Sequence, residues 1–91
     1  MWVVITYDIS NDRRRTRIFE ALKSYGRHVQ YSVFECDLSN QAYVQLRDRL
    51  NHEIKETEGD SLRFYFLCEA CAKRIERIGG PAPISNVAEF V

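Results

Sequence analysis

An acidic residue and a group of arginines lie close together near the start of the chain. Asp8 ends an apolar run at 3–7 (VVITY), and Ile18, Leu22 and Tyr25 then recur at helical spacing. The turn between these segments leads into four cations, Arg13, Arg14, Arg15 and Arg17. Asp8 is therefore predicted at the carboxyl end of a strand, at the rim of a sheet. A rigidly held carboxylate there suits a metal ion used in phosphate chemistry.

The arginines occupy the first turn of the predicted helix, which Ser10 or Asn11 can cap. Cations are unusual in this position, because the first turn carries partial positive charge and normally favours Asp and Glu. A need for cations at this point of the surface therefore indicates an anionic ligand, and we interpret the cluster as a phosphate-binding surface.

A helical wheel separates the four arginines. Arg14 and Arg15 fall on the two flanks of the apolar stripe, and Arg15 is expected to lean toward the acidic strand end. Arg13 and Arg17 point away and form an outer ridge that can meet a phosphate backbone. The alternative is a solvent-exposed face on which Arg13 and Arg17 pair with Glu20.

Length and charge limit the classes of protein to consider. The chain has 91 residues, with 13 Lys and Arg against 13 Asp and Glu, which predicts one domain without global attraction for nucleic acid. Binding to nucleic acid must then come from local clusters. Met1 leads directly into a short apolar run with no basic segment before it, so we expect a cytoplasmic protein that does not bind membranes.

Three cysteines, Cys36, Cys68 and Cys71, are an odd number, which argues against a secreted disulfide framework. The spacing of Cys68 and Cys71 permits a metal or redox site. A structural zinc site needs four ligands, however, and a redox pair is expected at a helix start, whereas this pair follows an apolar strand. The cysteines are predicted to pack or to lie in a turn.

The remaining sequence predicts alternating elements. Gly26 fits the end of the first helix, and 27–38 is either one long bent strand or two short strands that reverse near 31–33. The later elements are predicted as a helix from Ser39 or Asn40 to about Lys55, a loop over 56–60, strands over 62–68 and 74–78, and an apolar tail over 84–91 that forms a strand with the other protomer. We divide the chain into a ferredoxin-like domain, 1–78, and a C-terminal strand-forming tail, 79–91.

This order predicts an α+β fold, a ferredoxin-like βαββαβ sandwich with an extra C-terminal strand. Two helices cover one face of such a sheet, yet the first strand is apolar on both faces. A second copy of the chain is the simplest cover, so we expect a homodimer. A two-fold axis near the strand ends would bring two Asp8 carboxylates together, and these repel unless a cation or a shared proton lies between them.

Three segments together resemble the CRISPR-associated protein two family, small metal-dependent nucleases of the adaptation machinery. They are Val4 to Ser10 (VITYDIS) with the arginine-rich helix start, Gln30 to Glu35 (QYSVFE), and Arg63 to Tyr65 (RFY). The resemblance implies a ferredoxin-like homodimer that binds Mg²⁺ through Asp8 of each protomer. It also implies that the dimer bridges two dimers of the CRISPR-associated protein one integrase during spacer insertion.

Residue roles follow from the same resemblance. Asp8 would be the metal ligand and catalytic residue, Arg15 and Arg17 would meet phosphates, and Arg27 or His28 could replace an arginine that some members have. Tyr7, Ser10 and Phe34 would support the site. The predicted function is Mg²⁺-dependent endonuclease activity on single-stranded RNA, duplex DNA or both. The alternatives are a non-catalytic adaptor that holds duplex DNA between integrase dimers, a toxin-type ribonuclease and a ferredoxin-like regulatory dimer. The alternative to a metal ligand at Asp8 is a carboxylate that only caps the strand end.

Overall fold

From β1 to β4 the strands and helices follow the predicted order. The computed structural model describes residues 1–84, and residues 85–91, with most of the predicted C-terminal strand, lie outside the described residues. The elements are β1 (Trp2–Asp8), α1 (Asp12–Lys23), β2 (Arg27–Gln30), β3 (Val33–Asp37), α2 (Asn40–Glu53), a 3₁₀ turn (Glu56–Glu58), β4 (Ser61–Leu67) and α3 (Glu69–Ala72).

One antiparallel sheet in the order β2-β3-β1-β4 forms the framework. The central strand β1 pairs with β3 from Trp2↔Asp37 to Thr6↔Val33 and with β4 along its whole length. The order of the strands in the sheet and the connections between successive elements are those of the predicted ferredoxin-like βαββαβ fold. The predicted fold class is therefore confirmed.

The core lies between the sheet and α1 and α2. Alternate residues of β1 point to this side, so Val3, Ile5 and Tyr7 are buried. Neighbouring strands and the two helices complete the core with Phe34, Cys36, Ile18, Leu22, Leu46 and Leu50. Asp8 belongs to the opposite set of β1 residues, because it follows Tyr7 by one position.

The segment 27–38 consists of two strands, which decides between the two predicted alternatives. A two-residue turn, Tyr31 and Ser32, joins them, and Ser32 has a left-handed φ of 60°. Two-residue hairpin turns favour Gly or Asn in such positions. A left-handed serine costs on the order of 1 kcal/mol, and the turn is held by a hydrogen bond from the Tyr7 backbone N–H to the Ser32 carbonyl (3.1 Å).

The predicted role of Gly26 as a helix cap is wrong, because α1 ends at Lys23 with Ser24 as its C-cap, and left-handed φ values occur at other glycines. Close packing is what requires glycine here. A Cβ atom at this position would lie 2.3 Å from Cys36 Sγ and 2.7 Å from the Glu35 carbonyl oxygen. Any side chain at residue 26 would therefore force the connection between α1 and β2 and the neighbouring strand β3 apart.

The chain after β4 also differs from prediction. A four-residue helix, α3, follows the strand, and the strand expected over 74–78 does not form. The segment then crosses the sheet face opposite α1 and α2, where the Arg27 Nη1 donates to the Ala82 carbonyl (3.0 Å) and the Ile84 N–H donates to Glu35 Oε1 (3.1 Å). The chain thus covers part of this outer face itself. Within residues 1–84, no helix has the length and apolar character needed to span a membrane.

A buried ion pair joins the start of α1 to the loop before β4. Arg14 Nε lies 2.7 Å from Asp60 Oδ2, and Arg14 Nη2 lies 3.1 Å from Oδ1 of the same carboxylate. Both residues are buried. The Lys55 backbone N–H also donates to Asp60 (3.0 Å), and Arg14 Nη1 reaches Glu58 Oε2 (3.5 Å). Hydrogen bonding to Arg14 lowers the pKa of Asp60 below its usual range.

We expect Arg14→Met to lower the free energy of unfolding at neutral pH, because the buried Asp60 carboxylate loses its charged partner. The pKa of Asp60 is lowered in the folded state, so its contribution to stability is present above the ordinary carboxyl pKa of about 3.9. That contribution is lost as the pH falls toward the folded-state pKa. Urea unfolding curves at several pH values between neutral and acidic conditions measure both effects.

The matched control is Arg13→Met, which changes the neighbouring, exposed arginine. Arg13→Met should keep the free energy of unfolding of wild type and its pH dependence. Arg14→Met should have a lower free energy of unfolding at neutral pH and a weaker dependence of that free energy on pH. Equal effects of the two substitutions would contradict a structural role for the Arg14 ion pair.

Candidate active site and phosphate-binding surface

Asp8 ends β1, and its side chain is exposed at the rim of the sheet. Its backbone is fixed by pairing with Ser61 of β4. Within the described part of the chain, its carboxylate has no hydrogen bond and no ion pair. A strand-capping role would require a hydrogen bond to nearby backbone. The carboxylate is thus rigidly presented and free to accept a ligand.

The donor chemistry at Asp8 suits Mg²⁺, which prefers oxygen ligands and keeps several waters. One chain supplies only part of such a site, since residues 1–84 contain no group of three His, Cys, Asp or Glu side chains that could hold a metal ion. A site at Asp8 therefore needs oxygens from elsewhere. Water, phosphate and the equivalent carboxylate of a second copy are the sources that fit this geometry.

Arg15 braces the turn that follows Asp8. Its Nη1 donates to the Ile9 carbonyl (3.0 Å) and lies 3.4 Å from the Ser10 carbonyl, and its Nη2 pairs with Asp12. Hydrogen bonding to Asp12 raises the pKa of Arg15. Arg15 does lie at the sheet rim, but most of its donors are used in holding the turn. Ser10 takes part through its carbonyl.

Arg13 and Arg17 are exposed on the far side of α1. Arg17 Nη1 lies 3.8 Å from Glu53 Oε2 of α2, rather than pairing with Glu20. Arg13 has no ion pair within residues 1–84. We call these two residues the arginine ridge. Arg14 is not part of it, because its guanidinium is buried against Asp60 and cannot face a phosphate without breaking that pair.

Tyr7 and Phe34, which the sequence predicts as supporting residues, are buried in the core on the helix side of the sheet. Their ring centroids lie 6.4 Å apart, and Phe34 is fully buried. Burial raises the pKa of Tyr7, although a hydrogen bond with Ser32 opposes the shift. These side chains fix the end of β1, and with it Asp8, by packing.

Arg27 and His28 lie on opposite faces of the sheet, as neighbours in a strand must. Arg27 is used in holding Ala82 on the outer face. The His28 ring lies on the helix side, in a T-shaped contact with Phe19 at 5.1 Å. Of the two candidates, only His28 is on the same side as Tyr7 and Arg15.

A recess that the sequence did not predict lies on this side, with a volume of about 210 Å³. We call it the tyrosine recess. It is lined by Tyr7, Arg15, Thr16, Phe19, His28, Tyr31 and Ser32. Tyr31 is 79% exposed. The sequence contains one indication of this recess. Tyr31 is an aromatic residue at a possible chain reversal that lacks the Gly or Asn usual in tight turns.

Cys36 packs in the core, as predicted, whereas Cys68 and Cys71 are exposed and Cys71 lies within α3, and the reason given against a redox pair is wrong. Cys68 caps α3, and its sulfur accepts from the Cys71 N–H (3.3 Å), so the pair does begin a helix. This hydrogen bond lowers the pKa of Cys68, whereas Cys68 raises the pKa of Cys71. Burial raises the pKa of Cys36 to about 11.

Comparisons with known proteins agree over most of the chain. The sequence model of the family described as CRISPR associated protein Cas2 matches residues 1–75. CRISPR-associated endoribonuclease Cas2 1 of Chloroflexus aurantiacus is 55% identical over 84 residues, which cover 91% of this chain and 90% of the relative. CRISPR-associated endoribonuclease Cas2 3 of Synechocystis sp. is 46% identical over 78 residues, covering 86% and 84%.

Solved structures show the same fold. The crystal structure of Streptococcus pyogenes Cas2 at pH 6.5 is similar with a TM-score of 0.72 and 37% identity, covering 87% of this chain and all of that one (100%). A chain of a partial Cas6-RT-Cas1–Cas2 complex is similar with a TM-score of 0.73 and 30% identity, covering 91% and 94%. The residues that the family model matches, 1–75, include the whole sheet and both large helices.

Proposed function

Because the chain belongs to the CRISPR-associated protein Cas2 family, we propose that it is a metal-dependent endonuclease that acts with a CRISPR integrase in spacer acquisition. Relatives named CRISPR-associated endoribonucleases support hydrolysis of phosphodiester bonds in RNA. The observation that carries the proposal is Asp8, an exposed carboxylate without a partner in residues 1–84, held at the end of the central strand.

Asp8 of two copies would hold Mg²⁺, with water and phosphate oxygens as the remaining ligands. When bound, this ion supplies an activated water and neutralises charge on the phosphate. The residues of the chain position the substrate. Arg15 keeps the turn after Asp8 in place, and the arginine ridge, Arg13 and Arg17, attracts the nucleic-acid backbone at a distance from the carboxylate.

A homodimer is part of the proposal, because the site is incomplete in one chain. The outer face of the sheet carries the half-buried Trp2 and Val4 of β1 and the exposed Tyr65 of β4. The segment that crosses this face bonds to Arg27 of β2 and Glu35 of β3, and within residues 1–84 Trp2, Val4 and Tyr65 keep part of their surface exposed. A second copy placed there would bury apolar surface and bring the two strand ends together.

The integrase partner is proposed from the similarity to a chain of the Cas6-RT-Cas1–Cas2 complex. In such an assembly this chain would contact a Cas1 protein and nucleic acid together. The arginine ridge faces solvent on the helix side, and the proposed dimer contact is on the outer face. A chain arranged in this way could contact nucleic acid and a Cas1 protein at the same time.

A second candidate function is that of a non-catalytic adaptor that holds duplex DNA while the integrase does the chemistry. It is favoured because each chain supplies one ligand, Asp8, to the proposed site, which is a sparse ligand set beside the two-metal sites of efficient nucleases. The arginine ridge would then be the functional surface, because backbone contacts position a duplex without reading its sequence.

Asp8→Asn should abolish Mg²⁺-dependent cleavage while keeping the fold, because it removes the metal ligand from an exposed position. The measurement is cleavage of labelled RNA and DNA with and without Mg²⁺, from preparations free of other nucleases. The matched control is Asp37→Asn, which changes the last, exposed residue of β3, opposite Trp2 at the other end of β1, and should cleave normally. Unchanged cleavage by Asp8→Asn would refute the assignment of the metal ligand. Spacer acquisition that persists without cleavage would favour the adaptor.

Replacing Arg13 and Arg17 by Ala should weaken binding to duplexes of any sequence. The slope of log affinity against log salt should fall by about one unit for each phosphate contact removed. Dissociation constants measured at several salt concentrations check this, with Arg74→Ala as the control because Arg74 is exposed after α3, away from α1. A slope unchanged from wild type would mean that the ridge is only a solvated helix face.

A further inference from the structure

The tyrosine recess lies where α1 meets the ends of β1 and β2 and the turn between β2 and β3. Its volume of about 210 Å³ is below the ~300 Å³ at which pockets for drug-sized ligands begin. It therefore has room for one flat ring system and not for a larger cofactor.

Aromatic rings form much of its wall. Phe19 and His28 meet edge to face, with an interplanar angle of 86°, and Tyr7 lies beside them in the core. Tyr31 reaches into solvent, being 79% exposed, so it contributes little to folding. Exposed aromatic faces beside a small recess are the surfaces on which unstacked bases of single-stranded nucleic acids bind.

The turn that presents Tyr31 is strained and fixed. Ser32 has a φ of 60°, and its carbonyl accepts a hydrogen bond from the Tyr7 N–H. Strain of this kind persists where the surrounding structure over-determines it, and it is concentrated at functional sites. Here it keeps the Tyr31 ring outside the core and next to the recess.

The charge around the recess is suitable for a nucleotide. Arg15 forms part of the lining, and the Lys23 ammonium lies 5.7 Å from the centroid of the Phe19 ring. No residue that lines the recess is Asp or Glu. Arg15 and Lys23 lie before and after Phe19 on α1. A base bound in the recess would therefore have a cation near each of the two phosphates that flank it.

We infer that the tyrosine recess binds one unstacked base of a single-stranded nucleic acid. This inference rests on the proposed nucleic-acid function and adds a preference to it. A base inside a duplex is stacked on both faces and cannot enter. The recess therefore distinguishes single strands or flipped bases from the duplex backbone that the arginine ridge would hold.

The test compares two labelled strands of equal length and charge, one with bases and one abasic at every position. Fluorescence anisotropy in EDTA gives their dissociation constants for the full chain without cleavage. Wild type should bind the base-bearing strand about five- to 150-fold more tightly, as expected for one stacked base. Tyr31→Leu should remove most of this preference and leave binding of the abasic strand unchanged.

Three further variants make the result specific. Tyr31→Phe keeps the ring and should keep the preference. Phe66→Leu changes an exposed aromatic residue that contacts Tyr43 on the helix side, outside the recess, and should also keep it. Replacing Arg13 and Arg17 by Ala should weaken binding of both strands equally.

Two outcomes would overturn the inference and leave the proposed function standing. One is equal binding of the two strands by wild type, and the other is a full base preference in Tyr31→Leu. Failure of wild type to bind either strand, or any duplex, would instead overturn the proposed function and the inference with it.

Discussion

The alternation of side chains along β1 is the constraint on which the rest of the structure depends. As the central strand, β1 is paired on both sides, so its register cannot shift without breaking two ladders. Burial of Val3, Ile5 and Tyr7 against the helices then forces Asp8 to the other side, at the rim. The same alternation places Tyr7 beside the tyrosine recess. One strand end thus supplies both the free carboxylate and the aromatic wall.

The arginines of α1 have different roles because they lie at different angles around one helix. Arg14 is buried against Asp60 and ties the helix start to the loop before β4. Arg15 donates to carbonyls of the turn after Asp8. Arg13 and Arg17 remain at the surface. Two of the four cations therefore hold the geometry of the candidate site, and two are available to a phosphate backbone.

Periodicity in the sequence predicted the element order through β4, the alternation of β1 side chains between two faces and the position of Asp8, since all three follow from local alternation and helical spacing. Periodicity did not predict features that depend on contacts between residues far apart in the sequence. The partner of Arg14 lies 46 residues away, and the close approach to Cys36 that requires glycine at residue 26 cannot be read from neighbouring residues. The β2–β3 turn was ambiguous, because Ser32 adopts a left-handed conformation that serine rarely takes. The tyrosine recess was missed for the same reason.

Binding of Mn²⁺, as a spectroscopic substitute for Mg²⁺, tests the central claim about Asp8 most directly. It can be followed by electron paramagnetic resonance without nucleic acid, and contaminating nucleases do not affect it. We expect wild type to bind about one ion per two chains, with Asp8 of each copy as the protein ligand, and Asp8→Asn to bind none at the same concentration. Equal Mn²⁺ binding by wild type and Asp8→Asn would contradict the claim.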